Sequence, residues 1–211
     1  QSYRRDLTMV WGLLDPNGFG DFFPEGDFLN YDEQLKKYFD EELSPEQRAE
    51  HDNWHVSYAE VVSRKFTQDL GPLAPHERPL EYKLNETYKS LASLIILPNR
   101  LLAVDAELKE IIEKLEPGIH QLWPLRITTR KGEEYPATYF GLIVRTFLDS
   151  FAPEQSGNLT DDDTSSNCFF SLHPKKTEMA KLAMAKHVHS GCHLWRERKL
   201  LRPELFMSDA L

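Results

Sequence analysis

Residues 101–151 constrain the fold more than any other stretch of this chain. Leu102, Val104, Leu108, Ile111, Ile112 and Leu115 recur at steps that put them on one apolar helical face. Glu116-Pro117-Gly118 then stops the helix, because Gly takes a left-handed cap that other residues resist. Ile119 to Thr129 reads as a strand, Arg130-Lys131-Gly132-Glu133 as a turn, and Tyr135 to Leu148 as a second strand rich in aromatic and β-branched residues. A helix followed by a long two-stranded hairpin predicts an α+β fold, mainly an antiparallel sheet with several helices packed on it. The block contains no chemistry of its own.

Upstream, Leu7 to Leu14 is an apolar run of strand length, expected to be a buried strand. Asp15-Pro16-Asn17-Gly18 is turn chemistry, and the three Phe at 19, 22 and 23 are expected to pack over the sheet. Gly18-Phe19-Gly20 lacks the third glycine and the strand–helix setting of a phosphate loop. Tyr31 to Glu42 reads as a helix with Tyr31, Leu35, Tyr38 and Phe39 on one face. Ser44-Pro45 opens a second helix.

These two helices hold most of the charge. From Asp32 to Asp52 eight acids (Asp32, Glu33, Asp40, Glu41, Glu42, Glu46, Glu50, Asp52) face three bases (Lys36, Lys37, Arg48), in a chain of net charge −9. Such a run is either a solvated helix face or a docking surface for a basic partner. Acidity on this scale argues against nucleic-acid binding.

His51 and His55 stand four apart, but the intervening residues lack the Glu of a zinc-protease helix, and Trp54 to Val62 alternates as a strand would. Gly71 to Pro79 is a proline-rich loop. It suggests a division into an N-terminal strand with the acidic helices, 1–80, and an α+β domain, 81–211. Pro98-Asn99 is expected to open the central helix. After the hairpin, residues 153–167 form a polar loop; Asp161 to Asp163 lack the spacing of a calcium loop. Cys168 to Leu172 reads as a strand and Lys175 to Lys186 as a helix.

The chemically richest stretch is His187-Val188-His189-Ser190-Gly191-Cys192-His193. On a strand His187 and His189 would face the same way, and with Cys192 or His193 they could supply three zinc ligands. No second ligand cluster has recognisable spacing, so the expectation is no metal and no cofactor. His193 to Leu200 reads as a strand, and Ser208-Asp209 as the N-cap of a helix that the chain stops short of completing.

Two cysteines do not make a disulfide framework, no apolar run approaches the ~20 residues of a membrane span, and no signal peptide is visible. The expectation is a cytoplasmic protein with no membrane partner.

Two stretches carry a family resemblance. One is Ile95-Ile96-Leu97 through Leu115-Glu116-Pro117-Gly118-Ile119-His120-Gln121-Leu122-Trp123-Pro124-Leu125 to Tyr139. The other is Ser190-Gly191-Cys192-His193-Leu194-Trp195-Arg196 followed by Leu205 to Leu211. Together they resemble an immunity-protein family of bacterial polymorphic toxin systems, a myxobacterial type long known only as an uncharacterised domain. The resemblance implies a non-enzymatic antitoxin that binds a cognate toxin protein. His120, Gln121, Trp123, Pro124, Gly191, Trp195, Arg196 and Ser208 match the family pattern, and their expected role is structural. The acidic region lies outside the resemblance and is the expected partner-facing surface. A scaffold or regulatory binding module, and a metal-dependent enzyme using His187, His189 and His193, are the alternatives.

Overall fold

The computed structural model describes residues 9–13, 18–51, 58–156, 170–171, 182–202 and 205–211. Sequence readings on Asp52, Trp54, His55, Asp161 to Asp163 and Cys168 lie outside the described residues. Contacts divide the chain into two units: Pro16–Ile111 with His120–Arg145, and Gln1–Asp15 with Ile112–Ile119 and Thr146–Leu211.

The first unit is built on six strands: β2 (Gly26–Phe28), β3 (Glu81–Leu84), β4 (Leu94–Ile96), β5 (Leu102–Asp105), β6 (Gln121–Thr128) and β7 (Tyr139–Ile143), in the spatial order β2-β3-β6-β7-β5-β4. All pairs are antiparallel except β3 with β6. The expected hairpin is present: β6 and β7 pair from Gln121↔Ile143 to Leu125↔Tyr139, and Gly132, at φ 84°, supplies the turn. Pro124 sits inside β6 without breaking the sheet. The N–H of Arg126 points toward β3 and donates to Leu80, 2.9 Å. Two residues earlier in the strand, the ring nitrogen of Pro124 faces that same side. Pairing with β3 begins only at Arg126, so no ladder bond is lost.

Helices α1 (Tyr31–Glu41), α2 (Pro45–Ala49) and α3 (Ala59–Arg64) belong to this unit. Tyr31 and Leu35 from α1 join Val62 and Phe66 over Tyr82, Trp123, Ile127 and Tyr139 in one apolar core. Two large buried rings of this unit keep their polar tips bonded: the Tyr82 hydroxyl donates to Pro24 O, 2.8 Å, and Trp123 Nε1 to Pro79 O, 2.8 Å.

Three expectations fail here. The described part of the Trp54–Val62 stretch, from Ala59 on, is helix and not strand. Tyr58, Val62 and Phe66 are all buried at four-residue steps, and Arg64 pairs with Glu60 at 2.7 Å. Leu102 and Val104 belong to strand β5 and not to the central helix. The helix, α4 (Ala106–Leu115), begins where Asp105 Oδ1 accepts the Leu108 N–H at 2.8 Å. Pro98-Asn99 does not open the central helix either, but lies in a single 3-10 turn, Pro98–Arg100. Asn99 and Arg100, both at positive φ, turn β4 back on β5.

The second unit carries β1 (Val10–Leu13), β8 (Phe147–Leu148), β10 (Leu194–Glu197) and β12 (Leu205–Ser208) in the order β1-β12-β10-β8. Strands β9 (Phe170–Ser171) and β11 (Leu200–Arg202) pair separately and in parallel. Trp195, Phe206, Phe151 and Leu200 form its core. The expectation that Leu7–Leu14 is a buried strand holds only for its being a strand: β1 lies at the sheet edge and Trp11 is 54% exposed. Ser208 caps no helix. It ends β12, which is held extended by pairing on both sides, and its Oγ accepts the Ala210 N–H in a turn.

Candidate partner-binding surface

All seven described acids singled out in the sequence are exposed: Asp32, Glu33, Asp40 and Glu41 on α1, Glu46 on α2, and Glu42 and Glu50 at the two helix ends. The apolar stripe of α1 turns Tyr31 and Leu35 inward, which leaves the charged stripe in water. α2 is fixed at the end of α1. Ser44 Oγ accepts the Gln47 N–H, Gln47 Oε1 accepts the Ser44 N–H, and Arg48 Nη1 donates to Asp40 O at 3.0 Å. The bonded Ser44 hydroxyl also holds the Glu46 carboxyl below its ordinary range. Lys36–Asp40 at 2.6 Å and Lys37–Glu41 at 3.9 Å are exposed pairs of the kind that contribute little to stability. Glu33, Glu42 and Glu50 have no ion-pair partner among the described residues. The result is a fixed anionic face.

Behind it lies an aromatic cluster. Tyr38 stacks on His76 with ring centroids 3.3 Å apart, and the Tyr58 hydroxyl sits 3.0 Å from His76 Nε2. Lys65 and Glu77 pair beside it at 2.6 Å. Burial holds the His76 imidazole below its ordinary pKa, with the Lys65 charge acting in the same direction and Glu77 against it. In the second unit burial does the same to His189, whose ring stacks on Trp195 at 5.2 Å. Both histidines bind a proton less readily folded than unfolded. Their contribution is therefore complete above the unfolded value, about 6.5, and is lost as pH falls through the lower folded values. Urea midpoints are expected to drop between pH 7.5 and 5.5, and to drop less in a His76→Gln, His189→Gln double variant. Equal slopes for the two proteins would show that neither histidine is responsible.

Four of the motif residues, His120, Gln121, Trp123 and Ser208, bond to backbone. Gln121 clamps Leu73, accepting its N–H at 2.9 Å and donating to its carbonyl at 2.8 Å. His120 Nδ1 accepts the Arg145 N–H at 3.2 Å. Pro124 is exposed, Trp195 is fully buried, and Arg196 lies buried on β10. Gly191, at φ 84°, turns the chain out of the short helix α5 (Lys186–His189).

That helix corrects the expectation that His187 and His189 share a strand face: His187 is exposed and His189 buried. His193 Nδ1 lies 2.8 Å from Ser208 Oγ. A cavity of about 140 Å³ is lined by His189, Cys192, His193, Ser208 and Asp209, among others. Yet no three His, Cys, Asp or Glu side chains among the described residues are gathered as a metal ion requires. Burial and the Glu116 carboxylate push the Cys192 thiol up, the reverse of what a nucleophile needs.

Sequence reading missed the two carboxylates that organise the second unit. Glu116 accepts the N–H groups of His193 at 2.9 Å and Leu194 at 3.1 Å. Glu197 Oε2 accepts Ser150 N and Oγ, both at 2.7 Å, and Phe151 N at 3.2 Å. An acid inside an apolar strand (LWRE) was the available signal for Glu197. Glu116 had none beyond its place at a helix end.

A family model described as an immunity protein family (Imm11) matches residues 99–211. The chain belongs to this immunity protein family. No curated protein matches it. All eight motif residues fall inside the family region, six on β6, β10 and β12 and two, His120 and Gly191, just outside strands. The acidic face of α1 and α2 lies outside it. Among the described residues, no helix is long and apolar enough to cross a membrane.

Proposed function

We propose that this immunity-family protein is a non-enzymatic, cytoplasmic antitoxin that binds one cognate toxin protein and blocks it. The observation that carries the reading is the family match over 99–211. The bonding of His120, Gln121, Trp123 and Ser208 to backbone supports it: side chains spent on backbone clamps make a scaffold. Recognition then falls to what the scaffold displays, and the anionic face of α1 and α2 is fixed, exposed and outside the shared region. A basic partner would be drawn to it by long-range attraction.

The test pairs this protein with the toxin domain encoded by the adjacent gene. A tight 1:1 complex and rescue of cells expressing that toxin are the expected results; failure to rescue counts against the reading. Converting Asp40, Glu41, Glu42 and Glu46 together to Lys is expected to slow association about tenfold at low salt. The exposed positions predict little change in the unfolding midpoint. Association unchanged by that reversal would move the docking face elsewhere.

A further inference from the structure

The three Phe between β1 and β2 do not all pack over the sheet as expected. Phe19 is 62% exposed, with its ring stacked on Phe23 at a centroid distance of 4.9 Å. Its backbone setting is nevertheless fixed. Gly20 N donates to Phe23 O, Ala92 N to Asp21 O and Ile96 N to Phe22 O, each at 2.9 Å. The last two bonds fasten the loop to β4 and the segment leading into it. A large apolar ring thus stands in water on an ordered support, already paying the ordering cost that a loose loop would incur on binding.

The flanking glycines point the same way. A Cβ at Gly18 or Gly20 would meet nothing within 4 Å, and neither residue has a positive φ. Neither packing nor backbone conformation demands glycine at these positions. Their effect is to place no side chain on either sequence neighbour of the ring. The segment itself is anionic: residues 18–30 contain Asp21, Glu25 and Asp27 and no Lys or Arg, and Lys83 stands opposite Asp27 across the β2–β3 ladder, leaving Asp21 as the acid nearest Phe19 in the loop. Asp21 and Asp27 are exposed. An exposed aromatic with a charged rim has the anatomy of an interface anchor.

We infer that Phe19, seated on Phe23, is an apolar anchor that enters a pocket on the toxin, and that the rim of that pocket carries Lys or Arg opposite Asp21. This rests on the antitoxin reading. Like the acidic helices, the loop lies outside the family-matched residues, where recognition of one toxin rather than another has room to vary.

The experiment measures binding of full-length wild type, Phe19→Ala and Asp21→Lys to a catalytically disabled toxin domain from the adjacent gene. Phe19→Ala is expected to weaken binding about 100-fold, mainly by faster dissociation, with an unchanged unfolding midpoint because the ring packs little. Asp21→Lys is expected to slow association and to weaken its salt dependence. A wild-type complex that Phe19→Ala leaves undisturbed overturns the anchor and spares the antitoxin reading. No complex with the wild type overturns the antitoxin reading, and the anchor with it.

Discussion

Glu197→Ala is expected to destabilise the second unit by about 3–5 kcal/mol, the range of a broken buried hydrogen-bond network. The side chain is buried, and one of its oxygens takes three donors: the Ser150 N–H, the Ser150 hydroxyl and the Phe151 N–H. The other takes the Lys199 N–H at 3.1 Å. Alanine removes every acceptor and leaves the donors in a place where water does not replace it, and each orphaned donor costs roughly 1–3 kcal/mol. Because Ser150 and Phe151 lead out of β8, and β8 pairs with β10 through Glu197↔Leu148, the carboxylate fixes both sequence neighbours of that ladder. Glu197→Gln distinguishes loss of the acceptor from loss of shape. Its amide oxygen can still face Ser150 and Phe151, while its NH₂ is left against the Lys199 donor. About half the loss is expected. Urea unfolding of the three proteins measures the series, and wild-type stability in the alanine variant would mean that these bonds do not form.

The part of this architecture that the sequence made legible is the part governed by local chemistry. The turn at Gly132, the helix of α1 with its inward stripe and the capping box at Ser44 each depend on residues within a few positions of one another. The β6–β7 pairing follows, because a tight turn between two β-rich runs leaves one simple way to pair. What failed depended on distant partners. Tyr135–Leu148 reads as one strand, yet it is divided into β7 and β8, which belong to different sheets, with no Pro or Gly at Val144-Arg145 to signal the break. Leu102 and Val104 satisfy a helical period by coincidence. Both faces of β5 are covered, so apolar residues run continuously there, and Asp105 was the unread helix start.

The candidate surface divides along the same line. Exposed acids on an amphipathic helix can be placed from periodicity alone, and the four on α1, Asp32, Glu33, Asp40 and Glu41, lie where periodicity puts them. The fate of the histidines could not be read that way. His187 and His189 change from neighbours on a strand face to opposite sides of a helical turn once one residue's conformation changes. Whether Phe19 is buried likewise depends on how far the loop is carried from the sheet by bonds to Ala92 and Ile96, some seventy residues downstream. These long-range bonds are invisible to a local pattern, and they decide which side chains are left to meet a partner.

Trp123 and Gly141 should behave as a single unit. They are directly opposed in the β6–β7 ladder, and a Cβ added at Gly141 would overlap the Trp123 indole. Gly141 has no positive φ to demand glycine; the ring does. Gly141→Ala in the wild type is therefore expected to cost about 2 kcal/mol, within the 1–3 typical of overpacking. Trp123→Ala alone is expected to cost about 3–5 kcal/mol, because a buried indole and its bond to Pro79 are lost together. In the Trp123→Ala background the sign of the glycine substitution should reverse. The space is then empty, and alanine is favoured over glycine inside a strand by roughly 0.5–1 kcal/mol. The double-mutant cycle should give a coupling of about 2.5–3 kcal/mol, at the top of the range for residues in contact. If the two costs simply add, the ring does not lie over Gly141. The pairing also explains why an eight-residue central strand tolerates a bare glycine beside it, since the indole fills the face that glycine leaves open. In this chain the Trp123 indole then serves the glycine it covers, and a partner would meet it only through the sheet it keeps in register.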